Sequence, residues 1–156
     1  MRDTALQEED ETWYSANSTP VMSRMLPLLT WNQAEKWTEL LENFKPDDAR
    51  IWIPCLIVHG PRAFALTVTD ESMHNPSAPR SFASGDYIYV DPDAEPAHES
   101  MMVVRLPNGN LAFRQITIEP DGKALFRALN PDWPEAPFEA KAETEIYGTV
   151  IGKTLP

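Results

Sequence analysis

The chain holds one cysteine, six glycines and three histidines in 156 residues, and its 13 basic side chains face 24 acidic ones. One cysteine excludes an intrachain disulfide. Cys55 lies in the apolar run Ile51–Val58, where a thiol is a small buried hydrophobe, and a lone thiol suits a reducing cytoplasm. The scattered histidines, His59, His74 and His98, and Cys55 show no ligand spacing, so no metal and no cofactor are expected. No apolar run approaches the ~20 residues of a membrane span. No basic-then-apolar leader opens the chain, so a soluble cytoplasmic protein without a membrane role is expected. The shortage of Lys and Arg leaves a formal charge of −11, which repels the phosphates that carry most nucleic-acid affinity. A pair of amphipathic helices with a basic or amide recognition face is also missing, so any DNA-reading part lies outside this chain.

What is present favours short extended segments. Fifteen prolines spread along the chain discourage long helices and central strands. Residues 1–20 are acidic and aperiodic, the composition of a linker or disordered arm in which only Trp13 and Tyr14 offer a docking group. Residues 21–156 have the length and apolar content of a single domain. Met25 to Trp31 reads as extended, and Asn32 to Asn43 as a turn with a short helix, because Ala34, Trp37, Leu40 and Leu41 fall at helical spacing. Phe44 to Arg50 reads as a polar loop. Strands are expected near 51–58, 63–69, 87–91, 101–106, 111–118, 123–129 and 145–153. Asn108-Gly109 and Asp121-Gly122 mark two tight hairpins joining three of them. The class is mostly β, a small curled antiparallel fold with little helix.

Between two of these strands stands Ser72, in Asp70-Glu71-Ser72-Met73. Phe64, Leu66 and Val68 alternate as in a half-buried strand that ends in a turn presenting the hydroxyl. A loop between strands is a common address for a functional side chain, although most loop serines only shape turns. A nucleophilic serine needs a base that can take its proton near neutral pH and donors for the oxyanion. His74 would point to the opposite face if the strand continued, and both it and His98 read as exposed loop histidines. A Ser-His-Asp triad is therefore weakly supported.

The segments LTVTDESMHNP, SFASGDYIYVDP, MMVVRLPNGNLAFRQI and ALNPDWP, in that order, resemble the peptidase-like C-terminal domains of the LexA and phage CI repressor family. The family pattern is V-x-G-D-S-M, then G-D-x-x-x-V-D, a strand with a catalytic lysine, and N-P-x-[YW]-P. The likeness spans about residues 21–152. It implies a LexA and signal-peptidase-like fold, a serine-lysine dyad, and a self-cleavage segment at residues 25–43 of the phage repressor type.

Carried over position by position, the likeness puts Ser72 on the nucleophile and Arg114, 42 residues later, where the family has its lysine. A lysine buried among apolar groups can lose its proton at neutral pH, but an arginine keeps its own. The scissile Ala-Gly aligns with Ala34-Glu35, where Glu35 adds bulk and charge and would pair with Arg114 if this loop docks over the cleft. Asp70-Glu71 stands for Gly-Asp, which puts the oxyanion-hole amides in question. Lys36 on the helix and Lys123 at a hairpin tip are not placed at the serine by any motif.

The resemblance thus implies a repressor domain that keeps its assembly role as a dimer or tetramer in the bacterial host cell, with a vestigial Ser72 and no self-cleavage. Operator DNA would be bound only through an N-terminal domain outside this chain, and release would fall to an antirepressor protein. The alternatives are an active self-cleaving Ser-Lys peptidase, or a mutagenesis-type polymerase accessory protein. For self-association the sequence offers the tail strand Glu145–Lys153 as an exposed edge and the aromatic, proline-rich Trp133–Phe138; either one equally reads as completing the core.

Overall fold

The computed structural model describes residues 24–156, so the expected arm at 1–20, with Trp13 and Tyr14, lies outside the described residues. The elements are β1 (Met25–Pro27), α1 (Trp31–Glu35), α2 (Trp37–Leu40), β2 (Trp52–Pro54), β3 (Phe64–Thr67), β4 (Tyr87–Asp91), β5 (Met101–Arg105), β6 (Leu111–Ile118), β7 (Ala124–Arg127), β8 (Phe138–Glu139) and β9 (Ile146–Thr154). β1 and β2 pair with each other. The other seven strands form one antiparallel sheet in the order β3-β4-β9-β5-β6-β7-β8. A parallel bridge from Leu28 to Ala65 ties the small pair to the large sheet.

The two expected hairpins form where the turn residues demand them. Gly109 and Gly122 take φ of 94° and 90°, a conformation open to glycine, and so let β5 fold back on β6 and β6 on β7. The strand expected at 51–58 is only three residues long, and Leu56 to Val58 leave it as an exposed loop. The expected alternation in β3 is also corrected. Phe64, Ala65 and Leu66 are all buried, because the large core covers one face of the strand and β1–β2 the other. Phe64 and Leu66 each remove a whole side chain from water, worth roughly 2–3 kcal/mol apiece.

The expected helix is interrupted. Lys36, at φ −109° and ψ 18°, divides α1 from α2, and a 3-10 turn over Leu41–Asn43 ends the run. The polar loop after it carries a further 3-10 turn at Pro46–Asp48 and sends Phe44 inward against Trp37, ring centroids 4.9 Å apart. The tail strand is not an edge. β9 lies between β4, paired over Tyr87–Asp91, and β5, paired over Met101–Val104; only beyond Val150 does it outrun β5. Trp133 and Phe138 take the local-packing alternative: Trp133 lies against Arg114, and Phe138 against Phe126 at 5.4 Å.

Candidate functional site

Ser72 sits in the turn after β3, and three contacts fix that turn. Its carbonyl accepts from Asn130 N at 2.9 Å, Asn130 Nδ2 donates to the Glu71 carbonyl at 2.9 Å, and Phe82 N donates to the Met73 carbonyl at 2.9 Å. The Asn130-Pro-Asp-Trp stretch therefore clamps the serine turn from one side. β7 pairs with β6 only over Gln115–Ile118, which leaves Leu111–Arg114 open along that edge. Arg114 fills the opening, and both it and Ser72 are almost fully buried, at 2% and 1% exposure.

The hydroxyl has a partner on each side. Arg114 Nη1 donates to Ser72 Oγ at 3.0 Å, and Ser72 Oγ donates to Asp70 Oδ1 at 2.6 Å. Ser72 N also donates to Asp70 Oδ1, at 3.0 Å. The remaining guanidinium nitrogens pair with Glu135 in a fork, Nε to Oε2 at 2.9 Å and Nη2 to Oε1 at 2.8 Å. Nη1 also reaches the Phe113 carbonyl at 2.7 Å. The Trp133 ring lies 6.0 Å from the guanidinium carbon.

A planar guanidinium in a bidentate pair holds position firmly and has no lone pair to accept a proton. The serine is surrounded by a donor that stays charged and by a carboxylate, which is a poor base for a hydroxyl near neutral pH. Its own amide, a usual oxyanion donor, is already bound by Asp70. Beside Asp70 runs a cleft of about 110 Å³ lined by Trp31, Val68, Leu111 and Phe113, well below the 300–1,000 Å³ usual for a ligand site.

Ala34 and Glu35 are not brought to the serine. They belong to α1, whose first turn closes in a capping box: Gln33 N donates to Thr30 Oγ1 at 3.0 Å, and Thr30 N to Gln33 Oε1 at 2.9 Å. Trp31 Nε1 donates to the Thr67 carbonyl at 2.9 Å and Trp37 Nε1 to the Arg62 carbonyl at 2.7 Å, so indole groups pin the helices to the sheet at both ends of the segment. Ala34 is buried in the same core as Val103 and Phe113.

The expected pair of Glu35 with Arg114 is overturned. Glu35 binds Arg105 at 2.8 Å, while Arg114 binds Glu135. The reason is register. Arg114 stands opposite Met102, on the face of the sheet away from α1, whereas Arg105 stands opposite Leu111, three rungs or roughly 10 Å along the ladder. Arg105 also donates to Glu145 Oε1 at 2.7 Å, to the Tyr147 hydroxyl at 2.6 Å and to the Gly109 carbonyl at 2.7 Å. Hydrogen bonds that Arg105 donates to Glu35 and Glu145 hold its pKa above the usual arginine range, and Arg105 in turn holds the Glu145 carboxyl below its own.

Glu135 and Arg105 were not singled out by sequence reasoning. A buried arginine demands a carboxylate, which is a usable signal, but Asp132 and Glu135 both follow Asn130, and only the fold chooses between them. His74 is half-buried, with no hydrogen-bond partner on Nδ1 among the described residues, not exposed as expected; His98 is exposed and accepts from Ile118 N at 2.9 Å. Lys36 and Lys123 are exposed. Among the described residues, no group of three or more His, Cys, Asp or Glu is placed to hold a metal, and no helix is long and apolar enough to cross a membrane.

A family model described as Peptidase S24-like matches residues 27–151. The chain is 35% identical over 134 residues to an HTH-type transcriptional regulator for conjugative element R391 from Providencia rettgeri, covering 85% of this chain and 59% of that protein. It is 29% identical to the prophage repressor CohE of Escherichia coli K12, over 85% of this chain and 57% of the relative. It is also 29% identical to the repressor protein C2 of Salmonella phage P22, over 83% and 58%. The chain thus spans under two thirds of the length of these relatives.

Proposed function

Because the chain belongs to the Peptidase S24-like family, we propose that it is the C-terminal regulatory domain of a phage or prophage transcriptional repressor that has kept the fold for assembly and lost self-cleavage. The observation that carries this reading is the Arg114 guanidinium hydrogen-bonded to Ser72 Oγ at 3.0 Å, where the family's dyad needs a neutral lysine. Asp70 supports it by accepting hydrogen bonds from both the hydroxyl and the amide of the same serine. The segment aligned with the cleavage site supports it as well, being a capped helix anchored to Arg105, away from the serine. Operator binding belongs to an HTH domain outside this chain, and two domain copies brought together raise the effective concentration of two such heads on DNA. A repressor that does not cut itself needs another release. We assign that role to a protein antirepressor that binds the assembled repressor.

The test is incubation of the purified chain at alkaline pH beside Ser72→Ala. Intact chains in both are expected. Two fragments meeting at Ala34-Glu35 from the wild type alone would overturn the reading. A repair series sharpens it. Arg114→Lys with Glu35→Gly restores the base and the substrate glycine, yet we expect no cleavage, since a lysine beside the Asp70 carboxylate stays protonated. Adding Asp70→Gly and Glu135→Ala removes both carboxylates that face position 114, and fragments are expected only then.

A further inference from the structure

The loop that follows β2 presents apolar groups to water. Leu56 and Val58 are 82% and 95% exposed, while Ile57 between them is 42% exposed and rests its side-chain tip over Gly152 of β9. The loop is held in this shape from both sides. Cys55 N donates to the Arg24 carbonyl at 2.7 Å, and the Ile57 carbonyl accepts from His59 Nδ1 at 2.8 Å and from the Cys55 thiol at 3.7 Å. Tyr89, whose hydroxyl donates to the Pro54 carbonyl at 2.9 Å, supports it from below. Two large aliphatic side chains left mostly in water add little to the fold where they stand, whereas covering them would gain roughly 1.5–3 kcal/mol each.

Charge identifies the occupant. From Ile51 to Pro61 the sequence has no Asp, Glu, Lys or Arg, in a chain whose net charge is −11. In a two-fold contact each residue near the axis meets its own copy, so any charge there faces a like charge. A second copy of this acidic chain can approach closely only across an uncharged patch, and the 56–58 loop presents one. A basic partner protein would be drawn to the acidic surface instead. We propose that Leu56 and Val58 form the centre of a homodimer contact, each loop packing against the same loop of a second copy. This contact specifies the assembly in the function proposed above, and so it rests on that reading.

The experiment is sedimentation velocity on the whole chain across a concentration series, with Leu56→Glu and Val58→Glu beside the wild type. Both side chains are exposed, so the variants keep the fold, as circular dichroism will register. The wild type is expected to pass from monomer to dimer, and each variant to need about a hundredfold higher concentration, the cost of a charge placed at an apolar interface centre. Variants that dimerise like the wild type overturn the contact while leaving the assembly reading in place. A wild type that stays monomeric at every concentration overturns both. Hydrogen exchange of residues 55–59 closes the remaining route: protection that appears only with the dimer is expected, and protection already complete in the monomer means that residues 1–23 of the same chain cover the loop, which also overturns the contact.

Discussion

Ser72 holds its hydroxyl between two charged side chains. Asp70 and Arg114 meet on the same oxygen, one accepting its hydrogen bond and the other donating to its lone pair. The two side chains belong together: the guanidinium needs a counter-charge, and the pocket supplies Glu135 in a bidentate fork and Asp70 one bond further on. Arg114 is therefore a strut, joining β6 to the Asn130–Glu135 loop. Glu135→Ala leaves a guanidinium at 3% exposure without its main partner, and we expect a loss of about 3 kcal/mol, the low end for a broken buried pair because Glu135 is itself 27% exposed. Urea unfolding measures it. A midpoint unchanged from the wild type would mean that Asp70 alone balances the arginine. Removing Asp93 from its exposed pair with Arg62 should by contrast leave the midpoint almost unchanged.

At the scale of elements, α1 is a brace held to the rest of the fold by its own cap and by Glu35. Its glutamate reaches Arg105, which also holds Glu145, Tyr147 and the β5–β6 turn, so one side chain links the helix to three other places. Arg105→Ala is expected to free α1 without unfolding the sheet, seen as faster exchange of the Ala34 and Lys36 amides while those of β5 and β9 stay protected. The Arg105–Glu145 pair beside it should also weaken in acid. Arg105 depresses the Glu145 pKa, so the stability from that pair is present above the ordinary glutamate range near 4.5 and is lost as pH falls through the lower folded value. Amides of α1 that exchange at the same corrected rate in wild type and Arg105→Ala at pH 7 would count against the brace. The strands were largely legible beforehand because period and turn residues act locally: β6 occupies the expected 111–118, and both Gly hairpins stand where Asn-Gly and Asp-Gly put them. What escaped depends on neighbours distant in sequence. β3 reads as alternating but is covered on both faces, the tail strand reads equally as an edge or as part of the core and only the fold inserts it between β4 and β5, and Ile51–Val58 reads as one strand but ends in an exposed loop. The serine and the arginine were legible through motif spacing. Glu135 and the Arg105–Glu35 pair were not, since partner choice is set by register and face.

For the whole molecule, charge and assembly oppose each other, and that opposition can be measured. Two copies at −11 each repel over distances set by screening, which reaches about 10 Å at 0.1 M salt and about 3 Å at 1 M. The proposed contact across Leu56 and Val58 contains no ion pair that salt would weaken, and apolar burial loses nothing to added sodium chloride. Raising salt from 0.1 to 1 M is therefore expected to tighten the dimer, moving its dissociation constant down about tenfold, a shift of roughly 1.4 kcal/mol. Sedimentation at several ionic strengths reads this directly. The same chain at 0.1 M salt should not retard duplex DNA, because it lacks the clustered Lys and Arg whose counterion release drives such binding. A dimer that falls apart as salt rises would point to an interface of paired charges elsewhere on the surface, and the 56–58 loop would then need another partner.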